Sequence, residues 1–194
     1  MTTHAAALPV AGPVGGPTAD RAHSMCGSNC ICVVTALLES GRLAIKEPET
    51  LVRLDTPAGL VVAHARCANG RCLSVSLDNV PAFAEMLDQE IDTPRWGRVR
   101  LDVAFGGVYY ALVDVGQFGV AIEPKNARFL AEAGVELKRL LAGKIGVKHP
   151  ALPGIDEIAY VMFRDVEPDG AVRTCTTMKP GRVECTRFTT SSYS

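Results

Sequence analysis

Ser24-Met25-Cys26-Gly27-Ser28-Asn29 runs directly into Cys30-Ile31-Cys32-Val33-Val34-Thr35-Ala36-Leu37-Leu38-Glu39, an apolar stretch stopped by Gly41. It reads as a helix with a thiol at its start. The first turn of a helix leaves backbone N–H groups unpaired and carries the positive end of the helix dipole, which favours the thiolate form of a cysteine placed there. The same N–H groups, on Gly27, Ser28 and Asn29, form a seat for a carboxylate or phosphate, and Gly27 lets a ligand approach the backbone closely. From the residues alone two readings stand. Cys26 is a reactive thiol beside an anion seat, or it is a small buried residue next to a helix cap whose capping side chain is Ser28 or Asn29.

The rest of the chain narrows the function classes. Its 194 residues suffice for one domain or two small ones. A net charge of −1 with 47% hydrophobic and 21% charged residues is that of an ordinary globular protein and carries no basic excess for nucleic acid or an anionic membrane, so small molecules are the expected partners. The longest apolar run, residues 31–38, is far short of the ~20 residues of a membrane span. Residues 1–24 are rich in Ala, Pro, Gly and Thr without a basic start, and read as a flexible leader rather than a secretory signal. A cytoplasmic location is the expectation. Seven cysteines without a regular framework fit a reducing compartment. Cys67-Ala68-Asn69-Gly70-Arg71-Cys72 has a spacing that suits a hairpin, but no second Cys or His pair accompanies it, so no zinc site is expected there.

Residues 59–65 and 72–77 read as two strands joined at Asn69-Gly70, a strong hairpin signal, with His64 as a strand residue of no special role. Residues 98–104 and 108–115 form a second strand pair around Phe105-Gly106-Gly107, where the backbone bends or comes close to something, a ligand being one candidate. Between 125 and 142 the residues Phe129, Leu130, Ala133, Leu137, Leu140 and Leu141 recur at helical spacing; Pro124 precedes the run, Gly143 ends it, and Gly134 weakens it. Two further strands, 158–163 and 172–178, flank a Pro168-Asp169-Gly170 turn. The order is mixed α+β, without a GxGxxG or Walker phosphate loop.

Four segments taken in order resemble the proline racemase family: Met25-Cys26-Gly27-Ser28-Asn29, Asn79-Val80-Pro81-Ala82-Phe83, Asp102-Val103-Ala104-Phe105-Gly106-Gly107-Val108-Tyr109-Tyr110-Ala111 and Pro180-Gly181-Arg182-Val183. The resemblance implies a fold similar to diaminopimelate epimerase, with two related halves of curved mixed sheet around a central helix and the substrate between two helix N-termini. It implies that Cys26 removes the Cα proton of proline or a hydroxyproline while Gly27, Ser28 and Asn29 hold the carboxylate, with no cofactor and no metal. Ser28 stands where family members commonly carry His, and the Ser-Asn form is similar to a hydroxyproline-related branch.

Departures from the family are also legible. The family supplies strands before the cysteine motif where this chain has its leader, and after Gly-Arg-hydrophobic it continues with a second acid/base on a second helix. Here Val183 is followed by Glu184-Cys185-Thr186-Arg187-Phe188-Thr189-Thr190. Glu184 is placed to imitate a family Asp that contacts the substrate nitrogen; Phe188 falls in the register of the second acid/base; Cys185 lies three residues early. The expected organisation is a leader over 1–24, a remnant of the first half with the cysteine helix and hairpin over 25–78, and a second half over 79–194 cut before its catalytic helix.

Three functions follow. The leading one is racemisation or epimerisation of proline or hydroxyproline. The next is trans-3-hydroxy-L-proline dehydration, in which one thiol suffices and Thr189 or Thr190 stands opposite it. The third is a truncated chain without catalysis, because inversion needs a base on one face of Cα and an acid on the other. Such a chain is expected to be poorly stable or oligomeric, with Ile31, Val34, Leu37 and Leu38 left in water and about 1.5–3 kcal/mol of burial lost for each large side chain.

Overall fold

The computed structural model of the chain describes residues 23–179 and 182–188. Residues 1–22, Pro180, Gly181, Thr189 and Thr190 lie outside the described residues, as do the side chains of Glu184, Cys185 and Phe188. The chain divides into two compact units, one of residues up to Pro81 together with Gly106–Val108, the other of Ala82–Phe105 and the residues from Tyr109 onward.

In the first unit the helix α1, Gly27–Glu39, is followed by three antiparallel strands in the order β1-β2-β3: Glu49–Thr56, Gly59–Ala68 and Arg71–Asp78. The β2–β3 turn is made where the sequence places it. Asn69 and Gly70 take φ of 54° and 70°, the left-handed pair that a two-residue hairpin requires. β1 alternates strictly, with Thr50, Val52, Leu54 and Thr56 buried, and these lie opposite Ala65, Ala63, Val61 and Gly59 on β2. One face of the sheet thereby becomes apolar and meets the stripe Cys30, Val34 and Leu38 of α1, which recurs at helical spacing. This corrects the expectation that the helix lacks cover. Val34 and Leu38 are fully buried, and Ile31 alone among the large apolar side chains expected in water is exposed. Cys32 is exposed as well.

The second unit is a six-stranded sheet in chain order, β4 Phe83–Thr93, β5 Gly97–Phe105, β6 Tyr109–Asp114, β7 Ile158–Val166, β8 Val172–Lys179 and β9 Arg182–Phe188. All its pairs are antiparallel except β6–β7. A parallel pair needs a long crossover, and the helix α2, Ala127–Leu141, supplies it. α2 grows out of a 3₁₀ turn, Pro124–Asn126, and buries Leu130, Ala131, Ala133, Gly134, Leu137 and Leu141. Gly134 does not interrupt it. A Cβ there would lie 1.9 Å from Thr177 Oγ1, and the Thr177 hydroxyl donates to the Leu130 carbonyl at 3.3 Å. The glycine is the space through which β8 packs on the helix.

β4 is an edge strand with register shifts at Met86 and Gln89 and a positive φ at Asp88, irregularities that blunt an edge against pairing with other chains. Beside it Phe83, Phe105, Tyr109 and His149 pack as an aromatic cluster. The Tyr109 hydroxyl donates to Glu85 at 3.2 Å, and burial, followed by the Glu85 charge, holds the phenol's pKa up at about 12. The fold is mixed α+β, as the sequence implies.

Candidate active site

Cys26 is extended, with φ −143° and ψ 109°, and occupies the cap position of α1. The first intrahelical bond runs from Cys30 N–H to the Cys26 carbonyl at 3.0 Å, which leaves the N–H groups of Gly27, Ser28 and Asn29 outside the helix's own ladder. The Cys26 side chain makes no capping hydrogen bond to them, and the first turn holds no acidic residue. Cys26, Ser28 and Asn29 are all exposed, so Cys26 is not a small buried residue. The Cys26 thiol lies 3.4 Å from the Ser28 hydroxyl, so thiol, hydroxyl and three N–H donors share one turn.

The chain just before the thiol is anchored. Ser24 Oγ donates a short hydrogen bond to the Gly107 carbonyl, and the Ser24 carbonyl accepts from Ala58 N–H at 3.1 Å. Gly107 has φ +99°, and a Cβ added to it would lie 2.9 Å from Met25 Cβ. The Phe105-Gly106-Gly107 segment was expected to bend or to approach a ligand; it bends, and what it approaches is the Met25 side chain. Ser24 and Met25, the two residues before Cys26, are thus both held by Gly107. The sequence placed Ser24 in the stretch before the thiol and Gly107 in a bend but did not bring them together, because nothing in a one-dimensional pattern pairs residues 83 positions apart.

Three buried residues, Cys30, Cys67 and Cys175, contrast with exposed Cys26 and Cys32. The Cys30 thiol is pushed up, chiefly by burial and next by Cys26, as befits a packing residue. Glu184 sits in β9 of the second unit, with Thr176 opposite it on β8. Cys185 stands opposite Cys175 and Phe188 opposite Val172 in the same ladder. Among the described residues no group of His, Cys, Asp or Glu is arranged to hold a metal ion, and no helix is long and apolar enough to cross a membrane.

The thiol thus heads the first helix of a small α+β protein. The chain belongs to the proline racemase family, whose sequence model, described as proline racemase, matches residues 18–190. It is 59% identical over 165 residues to the 4-hydroxyproline 2-epimerase of Allorhizobium ampelinum, covering 85% of this chain and 48% of that protein. Two crystal structures superpose with a TM-score of 0.81. One is a hydroxyproline epimerase from Agrobacterium vitis with bound trans-4-hydroxy-L-proline, 58% identical over 86% of this chain and 49% of that one. The other is a probable proline racemase from Agrobacterium radiobacter K84 with bound carbonate, 56% identical over 86% and 50%. The chain spans about half the length of the curated relatives it matches.

Proposed function

We propose that Cys26 is the base on one face of a cofactor-independent epimerisation of 4-hydroxyproline, with the carboxylate held by the N–H groups of Gly27, Ser28 and Asn29. The observation that carries this reading is the exposed thiol 3.4 Å from Ser28 Oγ at a helix start whose N-cap side chain makes no capping hydrogen bond. A substrate carboxylate there receives two or three charge-assisted hydrogen bonds. That anchors Cα within reach of the sulfur. A Cα proton beside a carboxylate is very weakly acidic, so donors aimed at the developing negative charge are what make its removal feasible. Ser28 Oγ is a further donor to a substrate oxygen. The relatives named 4-hydroxyproline 2-epimerase, and the one crystallised with trans-4-hydroxy-L-proline, make that imino acid the first substrate to try. Free cysteines among the described residues support a reducing, cytoplasmic setting.

Glu184 is the candidate contact for the substrate nitrogen. A second reading is favoured by one observation: residues 182–188, where the family's second acid/base motif is expected, form strand β9. On that reading the chain carries one half of the chemistry and does not invert its substrate.

Proton NMR of trans-4-hydroxy-L-proline in heavy water tests both. Loss of the Cα proton signal that disappears with Cys26→Ser is the expected result. Inversion accompanying it shows a second acid on the opposite face; exchange with retention supports the one-base reading. Exchange that survives Cys26→Ser, or none at saturating substrate, overturns the role given to Cys26.

A further inference from the structure

The Cys67–Cys72 pair is not used by the proposed chemistry, and its placement in the hairpin is specific. The two residues stand opposite each other on β2 and β3, one step from the Ala68–Arg71 pair that closes the Asn69-Gly70 turn. Their N–H groups point away from one another. Cys67 N–H donates to the Pro48 carbonyl at 2.8 Å, and Cys72 N–H donates to Glu39 Oε1 at 2.6 Å. A facing pair that exchanges no backbone hydrogen bond is the closer of the two kinds in a regular antiparallel ladder, with Cα atoms about 4.5 Å apart; the ladder shifts register between Arg66 and Cys67, just before this pair. Side chains of directly facing residues project from the same side of the sheet, and a disulfide spans Cα separations of roughly 4.4–6.8 Å. Both thiols are free.

We propose that Cys67 and Cys72 are a redox modification site that closes to a reversible cross-strand disulfide when the chain meets a low-molecular-weight disulfide. Cys72 is partly exposed and Cys67 is buried, so Cys72 meets the oxidant first. Its thiolate attacks one sulfur of RSSR, forming Cys72–S–SR and releasing RS⁻. The Cys67 thiolate then attacks the Cys72 sulfur, forming the Cys67–Cys72 bond and releasing the second RS⁻. Two electrons pass from the cysteine pair to RSSR, and the two thiol protons end on the two RSH produced. Burial, then the neighbouring Cys67, raises the Cys72 thiol above its ordinary value, so capture accelerates with rising pH.

The bond staples a hairpin tip that holds two neighbours. Gly70 N–H donates to Glu47 Oε1 at 2.7 Å, and Glu39, which accepts from Cys72 N–H, is the last residue of α1. Oxidation therefore reinforces the end of α1 opposite to Cys26.

The test uses the full chain in glutathione buffers of increasing oxidised fraction, quenched with acid and digested with trypsin without reduction. The expected product joins the peptides 67–71 and 72–95, and iodoacetamide uptake falls at two of the seven cysteines. Cys67→Ala is expected to stop at glutathione on Cys72, and Cys72→Ser to leave Cys67 unmodified. The proposal is overturned by glutathione that remains on wild-type Cys72 without closure, or by oxidation of Cys26 and Cys32 while Cys67 and Cys72 stay free. These readouts in the wild-type chain stand even where a variant fails to fold.

Discussion

The two helices begin differently, although among the described residues neither N-cap side chain makes a capping hydrogen bond and neither first turn holds an acidic residue. α1 starts abruptly from an extended cysteine, Cys26, whose side chain makes no capping hydrogen bond. α2 grows out of a 3₁₀ turn in which Asn126 N–H bonds the Glu123 carbonyl and Ala127 N–H bonds the Pro124 carbonyl, so donors at its start are consumed by the chain itself. α2 is a packing element, buried along one face with a glycine where β8 presses closest. Unfilled helix donors cost stability unless water or a ligand satisfies them. The difference teaches that the turn before a helix sets how many of its first donors the chain itself uses: a 3₁₀ turn leads into α2, and an extended residue leads into α1.

The sharpest way to break this contrast is to remove the thiol. Cys26→Ser is expected to lower Cα proton exchange by about 10²–10⁴-fold, the range of a lost general base, with the unfolding midpoint within experimental scatter because Cys26 is exposed. An equal loss in a Cys32→Ser chain would remove the special status of the helix start. The packing side is broken at Gly134→Ala. Alanine is the better helix former by about 1 kcal/mol, yet its Cβ would meet Thr177 Oγ1 at 1.9 Å. A net destabilisation of about 1–3 kcal/mol in urea denaturation is expected, partly recovered by adding Thr177→Ala.

Gly107→Ala joins the two themes, since it strains a φ of +99° and drives a Cβ into Met25 next to the thiol. It is expected to cost about 1 kcal/mol of stability and also to change the rate at which Cys26 is alkylated. An unchanged rate would show that the Gly107 turn supports the fold without positioning the sulfur. Brief, limiting iodoacetamide should label Cys26 and Cys32 ahead of Cys30, Cys67 and Cys175, following their exposure. Mass mapping that finds Cys67 first would mean that the first unit opens.

The smallest effect is expected on the outer face of the three-stranded sheet. His64 lies 2.9 Å from Asp78 and 3.5 Å from Glu49, and these partners, the Asp78 hydrogen bond foremost, raise its pKa above 6.5. A raised folded-state value means that the protonated imidazolium stabilises the fold fully below about 6.5, the unfolded value, and that this contribution fades as pH rises through the folded value. Asp78→Asn should lower the His64 midpoint followed by NMR and flatten that slope. An unmoved midpoint would show that Asp78 and His64 do not pair in solution.

Legibility followed local signal. The β2–β3 hairpin was visible because Asn69-Gly70 dictates the turn, and α2 because its apolar residues recur at helical spacing. β1 carried an equally clear alternation at Thr50, Val52, Leu54 and Thr56 that the sequence reading passed over. β4 was hidden for a physical reason, since its register shifts at Met86 and Gln89 break the two-residue period. β9 was masked by the expectation of a second acid/base motif in the same residues.

The sequence by itself determined the α+β class, the position of Cys26 at a helix start and the family to which the chain belongs, because a two-residue turn, a helical period and a short motif are all carried by neighbours in the chain. Only the tertiary structure decided that Cys26 is exposed, that β2 and β3 cover Val34 and Leu38, that Gly107 closes on Met25, and that Cys67 faces Cys72 with their N–H groups turned apart. Those outcomes depend on which residues meet across strands and turns, and long-range pairing is set by the total burial of a face rather than by the residues on either side of it.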